Sequence, residues 1–225
     1  MNKAIILANG MFPQREEALQ ALLQSPLLIC CDGAYNRLVS SQLFSHAQTL
    51  PEVHVVGDGD SLKAEMRQHP PFPTQFVSGY DDQETNDLTK AVKYAVKLGV
   101  THVVILGATG LREDHTLGNI SLLAQYMEMK SASGVPIKVR MYTDYGYFTP
   151  ISETTSFVSF ERQQVSVFSL TPEVYLTSEG LRYPMQHRQL RYWWEASLNE
   201  AIGEKFTVSM EGQGTVLVYQ TQAAK

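Results

Sequence analysis

Thr101-His102-Val103-Val104-Ile105-Leu106-Gly107-Ala108-Thr109-Gly110-Leu111-Arg112-Glu113-Asp114-His115-Thr116 is the stretch on which the fold turns. Its first six residues form an apolar, β-branched run that reads as a buried strand. Glycines at 107 and 110 mark a turn, and Asp114 or Thr116 then opens a helix reaching about Met129. On the other side, Asn86 or Asp87 caps a helix that runs to Leu98 and stops at Gly99. Leu88, Ala91, Val92, Ala95 and Val96 recur on one face of it. Helix, buried strand, turn and helix in this order are the repeating unit of a parallel sheet covered by helices.

The same alternation extends toward the N-terminus. Ala4–Ala8, Leu27–Cys31, Val53–Val56 and Gln75–Ser78 read as strands, with helices at Glu16–Gln24 and Ala34–Val39 between them. Ile137–Tyr142 closes the series. From Tyr145 onward no helical period is found, and short β-rich runs follow at Phe157–Phe160, Gln164–Leu170, Val174–Thr177, Leu190–Trp194, Phe206–Met210 and Thr215–Tyr219. Turn signals such as Glu211-Gly212-Gln213-Gly214 separate them. The expectation is an α/β N-terminal domain with a mostly parallel, Rossmann-like sheet over residues 1–145. An all-β C-terminal sandwich is expected over 146–225.

With 18 basic and 23 acidic residues the net charge is −5, which argues against a nucleic-acid partner. No apolar run is long enough to cross a membrane, and Ala4–Ala8 is too brief for a signal peptide. The two cysteines, Cys30 and Cys31, are adjacent on a strand, where side chains alternate faces and no disulfide closes. A cytoplasmic protein is expected. His46, His54, His69, His102 and His187 show no metal-ligand spacing.

Chemistry concentrates at the strand ends, where open α/β sheets keep their ligand crevices. Gly57-Asp58-Gly59-Asp60-Ser61 follows the third strand, and Asp81-Asp82-Gln83-Glu84-Thr85-Asn86-Asp87 follows the fourth. Carboxylates this dense repel one another unless a cation or hydrogen-bond donors balance them. Mg²⁺ suits them, since it takes oxygen ligands and carries substrate phosphates. Asp58 and Asp60, two apart, can ligate one metal, with glycines allowing close backbone approach. Asp87 stands at a helix start, where an acidic residue is also favoured by the macrodipole. Gly107 to Thr116 offers glycines, a helix N-terminus and Arg112 as a phosphate cradle. Asp32, at another strand-to-helix junction, either caps the helix or reaches the site.

Taken in order, these residues resemble the thiamine pyrophosphokinase family. The resemblance is carried by Asp32-Gly33-Ala34-Tyr35-Asn36-Arg37, Gly57-Asp58-Gly59-Asp60-Ser61, Asp82-Gln83 with Asn86-Asp87-Leu88, and Gly110 to Arg112 with Asp114-His115-Thr116-Leu117 and Asn119. In the β-rich half it continues at Glu179-Gly180-Leu181-Arg182-Tyr183-Pro184 and Ser197-Leu198-Asn199-Glu200. Gly59 replaces the family's usual aromatic, Asn86 stands for a threonine, and Leu198 separates Ser197 from Asn199. The resemblance implies transfer of pyrophosphate from ATP to the hydroxyl of thiamine, giving thiamine diphosphate and AMP. It also implies a homodimer with thiamine at the subunit interface.

On that reading Asp58, Asp60 and Asp87 organise Mg²⁺, Arg112 stabilises transferred charge, and Asp114 with His115 orients or deprotonates the thiamine hydroxyl. Asp32, Asn36, Arg37, Ser61, Gln83 and Gly110 are the further ATP contacts, and Tyr183, Ser197 and Asn199 the thiamine contacts. Trp193 and Trp194 are expected in core or dimer packing. The competing readings are a pyrophosphokinase for another heterocyclic alcohol, such as a pterin, and a non-catalytic nucleotide-binding regulator.

Overall fold

The computed structural model describes residues 2–45, 47–77 and 84–222. His46, the predicted strand end at Ser78 and the stretch Asp81-Asp82-Gln83 lie outside these described residues. The chain divides into two compact units, Met1–Asp144 and Tyr145–Lys225.

The first unit runs β1 (Lys3–Leu7), α1 (Glu16–Gln24), β2 (Leu27–Cys31), α2 (Asp32–Ser40), β3 (Glu52–Val56), α3 (Ala64–Gln68), β4 (Thr74–Val77), α4 (Asp87–Lys97), β5 (His102–Leu106), α5 (Glu113–Met127) and β6 (Lys138–Tyr142). Its strands pair in the order β6, β5, β1, β2, β3, β4, every neighbour parallel. All five residues of β2 are buried, as a central parallel strand covered on both faces requires. α4 packs on β1, β2 and β3 through Leu88, Ala91, Val92 and Ala95, the face its spacing predicts, while α5 packs on β6. α2 begins two residues earlier than expected, at Asp32, and the short α3 carries no sequence signal strong enough to announce it.

Strand order creates one special place. From β1 the chain builds outward through β2, β3 and β4, then returns to the opposite side of β1 with β5 and β6. Connections on the two sides diverge above the C-terminal ends of β1 and β5, which opens a crevice there.

The second unit contains β7 (Gly146–Ile151), β8 (Thr155–Val158), β9 (Gln164–Ser169), β10 (Tyr175–Glu179), β11 (Arg188–Gln189), β12 (Asn199–Glu200), β13 (Lys205–Glu211) and β14 (Val216–Thr221). One antiparallel sheet is ordered β7, β14, β9, β12, and the other β8, β13, β10, β11. Alternate residues from both meet in one core, with Val165, Val167, Val216 and Val218 facing Phe157, Leu176, Phe206 and Val208. Phe157 and Phe206 stack with ring centroids 4.9 Å apart. The expected strand Leu190–Trp194 does not form. Glu195 instead accepts the backbone amides of Arg191 and Tyr192, at 2.5 and 2.7 Å, and folds the segment into a turn. Among the described residues no helix is long and apolar enough to cross a membrane.

Phe206 is fully buried in the second core. Its replacement in Phe206→Ala is expected to cost about 3–5 kcal/mol through lost burial and a residual cavity. Both tryptophans, Trp193 and Trp194, belong to the second unit, so urea unfolding followed by their fluorescence reads this loss directly.

Candidate active site

The crevice above β1 and β5 is a cavity of about 500 Å³ whose lining residues all belong to the first unit. Backbone pairing fixes its floor. Beyond the strand ends, the Ala8 amide donates to Leu106, the Gly10 amide to Gly107 and the Met11 amide to Thr109, at 2.9, 2.6 and 2.8 Å. A Cβ on Gly10 would stand 2.4 Å from the Gly107 carbonyl oxygen, so only glycine permits this approach. Amides then tie the walls together. Asn119 Nδ2 donates to the Ala108 carbonyl at 2.8 Å, and Asn86 Nδ2 to Asn119 Oδ1 at 3.3 Å. Asn86 Oδ1 also accepts the Thr89 amide at 2.9 Å, which caps α4.

Carboxylates gather on one wall. Asp32 is 2% exposed, and its Oδ2 accepts the Gly59 amide at 2.6 Å. A Cβ on Gly57 would lie 2.3 Å from Asp32 Oδ1, so the glycine is what lets the carboxylate pass beneath the loop. Asp32 is the first residue of α2 rather than its cap, which is Cys31, and its carboxylate turns to the acidic loop. Burial pushes its carboxyl above the usual range; the Gly59 amide opposes this, and the charges of Asp87 and Asp58 add to it. Asp58 moves the other way, held low by the Asp60 amide and by the charge of Lys90. Within this pair a proton therefore resides on Asp32 more readily than on Asp58.

Lys90 escaped the sequence reading. Its side chain is only 4% exposed, yet it lines the cavity with Nζ 3.3 Å from Asp87 Oδ1 and 3.8 Å from Asp58 Oδ2. A signal was available: a lysine three residues after Asp87 at a helix start shares its face. Asn9 was also missed. It lines the cavity, and its Oδ1 accepts Arg37 Nε at 3.1 Å.

Of the expected site residues, the cavity brings together Asp58, Ser61, Asp87, Arg37, Arg112 and His115. Asp60 does not line it; its amide donates to Asp58 Oδ1 at 3.2 Å. Asn36 is a brace, donating to the Ser61 carbonyl at 2.7 Å and accepting the Lys63 amide at 3.2 Å. Gly110 shapes the cradle with φ +89°, close against Met11. Gln83 lies outside the described residues. Cys31 lines the cavity, but burial pushes its thiol up, which keeps it protonated and inert. His54 is a packing residue, bonded to Glu52 and to the Tyr94 hydroxyl.

Arg112 and Asp114 form a two-pronged ion pair on the exposed rim, with Nε 3.1 Å from Oδ1 and Nη2 2.5 Å from Oδ2. These bonds push the Asp114 carboxyl down to about 2, while the same bonds raise Arg112 further. In the second unit Asn199 is buried with its amide committed: Oδ1 accepts the Tyr183 and Glu200 amides, and Nδ2 donates to the Tyr183 carbonyl at 2.7 Å. It holds up Tyr183, which is 66% exposed. Ser197 Oγ donates to the Trp194 carbonyl at 2.8 Å. Trp193 leans on Phe168, whereas Trp194 stands 72% exposed and takes no part in the core.

Two family models match the chain: "Thiamin pyrophosphokinase, catalytic domain" over residues 18–135, and "Thiamin pyrophosphokinase, substrate-binding domain" over 146–219. Thiamine pyrophosphokinase 1 of Oryza sativa subsp. japonica is 23% identical over 224 residues, covering 90% of this chain and 81% of the relative. Thiamine pyrophosphokinase 2 of Arabidopsis thaliana is 21% identical, covering 95% and 84%. Among solved structures, thiamin pyrophosphokinase from Candida albicans superposes with a TM-score of 0.80 at 15% identity, covering 97% of this chain and 89% of that one. The Bacillus subtilis thiamine pyrophosphokinase gives 0.74 at 21% identity, covering 98% and 99%.

The Asp114 ion pair has a pH signature. Its carboxyl is lowered in the folded protein, so the pairing is complete above the unfolded value of about 3.9 and is lost as pH falls through 2. A carboxyl-detected NMR titration should place the Asp114 midpoint near 2 and raise it toward about 3.9 in Arg112→Met. An unchanged midpoint in that variant would remove the pairing as the cause.

Proposed function

The chain belongs to the thiamin pyrophosphokinase family, and from that premise we propose how its own residues carry the reaction. The reaction moves the pyrophosphoryl group of ATP to the hydroxyl of thiamine, giving thiamine diphosphate and AMP. The observation that carries the proposal is the placement of Asp58, Asp87, Lys90, Arg112 and His115 on the walls of one cavity within the stretch matched by the catalytic domain. The parallel sheet then serves as a Rossmann-like platform, with ATP lying across its switch point.

Transfer of this kind is mostly positioning and charge stabilisation. Among the described residues no three His, Cys, Asp or Glu side chains form a ready-made metal centre. Asp58 and Asp87, both beside the same ammonium, nevertheless fit Mg²⁺, which takes one or two carboxylates and completes its shell with phosphate oxygens and water. Asp60, on the same loop but outside the cavity lining, is the third ligand in this reading. When bound, the cation supplies charge neutralisation on the polyphosphate. Arg37 and the Gly107–Gly110 turn receive phosphate oxygens, and Arg112 meets the charge that develops on the transferred group. Asp114 stays ionised and aims Arg112. A carboxylate held at about 2 is a weak base at neutral pH, so removal of the thiamine proton falls to His115.

Thiamine recognition falls to the second unit, through Tyr183 as Asn199 presents it, with Ser197 and Trp194 beside the same turn. A homodimer with thiamine at the subunit interface belongs to the same reading. It is supported by the exposed Tyr192, Trp194 and Leu198, which a monomer would leave in water. Two free, buried thiols fit a reducing cytoplasmic setting. The family matches do not favour a pterin substrate or a non-catalytic regulator.

Incubation with thiamine, ATP and Mg²⁺ should yield thiamine diphosphate and AMP in equal amounts, separated chromatographically. ADP with thiamine monophosphate would overturn the choice of phosphorus. Asp58→Asn and Asp87→Asn are expected to lose at least roughly 100-fold in turnover with unchanged circular dichroism. Near-normal rates in both would remove the metal assignment.

A further inference from the structure

Lys90 is the one lysine among the described residues that the fold buries. Lysine is almost never enclosed without a partner, and here the partners are two of the three carboxylates assigned to the metal, Asp58 and Asp87. They come from different elements: Asp58 from the loop after β3, and Asp87 from the first turn of α4. The ammonium cannot easily leave. It stands on the first turns of α4, whose cap residue Asn86 is tied through Asn119 to the loop after β5. Its helix packs on β1, β2 and β3.

We propose that Lys90 is a positioning residue that makes entry of the divalent cation conditional on the polyphosphate. This rests on the metal–polyphosphate reading of the cavity. The ammonium stands within 4 Å of both carboxylates, so any cation held by Asp58 and Asp87 meets a third positive charge in the same enclosed space. Asp32 has its Oδ2 committed to the Gly59 amide and, like Asp60, lies outside the cavity lining, so the carboxylates beside the ammonium are those of Asp58 and Asp87. Arg37, Arg112 and His115 on the facing walls add no negative charge. A metal ion alone is therefore opposed. A metal ion arriving with a polyphosphate brings its own excess of negative charge, and the same ammonium becomes an additional donor to phosphate oxygens. Lys90 keeps the two carboxylates paired and prearranged beforehand, then exchanges part of that pairing for phosphate.

A purely architectural lysine would behave differently. Its removal would loosen the site and weaken metal and nucleotide together. The proposal instead demands opposite signs: metal alone binds better without Lys90, and the nucleotide binds worse.

Mn²⁺ is the probe, counted by electron paramagnetic resonance on the full chain, with α,β-methylene-ATP as the unreactive nucleotide. Lys90→Met should bind Mn²⁺ alone at least about tenfold more tightly than the wild type, and the Mn²⁺–nucleotide complex at least about tenfold more weakly. Lys90→Arg should restore both toward wild type, because it returns the charge. Equal Mn²⁺ affinity in Lys90→Met and wild type, or parallel weakening of both ligands, overturns the proposal. Should Lys90→Met fail to fold, Lys90→Gln is read by the same criteria. Wild-type protein that binds Mn²⁺ as tightly without the nucleotide as with it also overturns the proposal. Production of thiamine diphosphate without this pattern removes the role of Lys90 alone. The pattern without any thiamine diphosphate removes the proposed reaction and leaves this role standing.

Discussion

Pairing of β1 with β5 runs in register from Lys3 opposite His102 to Leu7 opposite Leu106. It does not stop at the strand ends. Three further backbone hydrogen bonds carry the two exit loops forward side by side, from Ala8–Leu106 to Met11–Thr109. Everything in the cavity is placed relative to that double exit. One loop leads onward to α1 and the other into α5, while Asn119 reaches back from α5 to hold Ala108. Because consecutive strands are added on one side of β1 and then on the other, the loops have to part there, and the space between them is the cavity. Gly10 is small for a reason of distance: a methyl group at that position would meet two carbonyl oxygens within 2.6 Å.

Electrostatics then decides what this space can hold. Asp32, Asp58 and Asp87 converge from three separate segments, and the fold answers with one buried ammonium and with backbone amides from Gly59 and Asp60. Such a site is balanced with little charge to spare, so small changes in what enters it shift the balance. The rim is arranged on another principle. Arg112 and Asp114 are exposed and bound to each other, which orders the guanidinium without burying it.

The second unit is built by alternation rather than by crossovers, and its two sheets close over a core of valines, leucine and paired phenylalanines. Two polar braces shape its loops. Glu195 gathers two backbone amides and Arg188, turning the Tyr192–Trp194 segment outward. Asn199 spends its whole amide on Tyr183 and Glu200. Residue types suited to a strand, Tyr-Trp-Trp, thus end as a turn, because a carboxylate three to four residues on competes for the amides a strand would have used.

Some of this was legible along the chain. Periodicity and glycine placement located the strands of the first unit, the cap at Asn86, the apolar face of α4 and the acidic loop after β3, because each depends on neighbours within a few residues. The motifs in their order were sufficient to point to the family. Tertiary structure alone decided which carboxylates meet. Asp58 and Asp87 are 29 residues apart and share one lysine, whereas Asp60, two residues from Asp58, does not line the cavity. Asn36, expected among the nucleotide contacts, is bonded to the Ser61 carbonyl and the Lys63 amide, 25 and 27 residues away, a pairing that local spacing does not announce. Burial of Lys90 likewise depends on which strands lie beneath α4, and that follows from strand order, which local spacing does not encode.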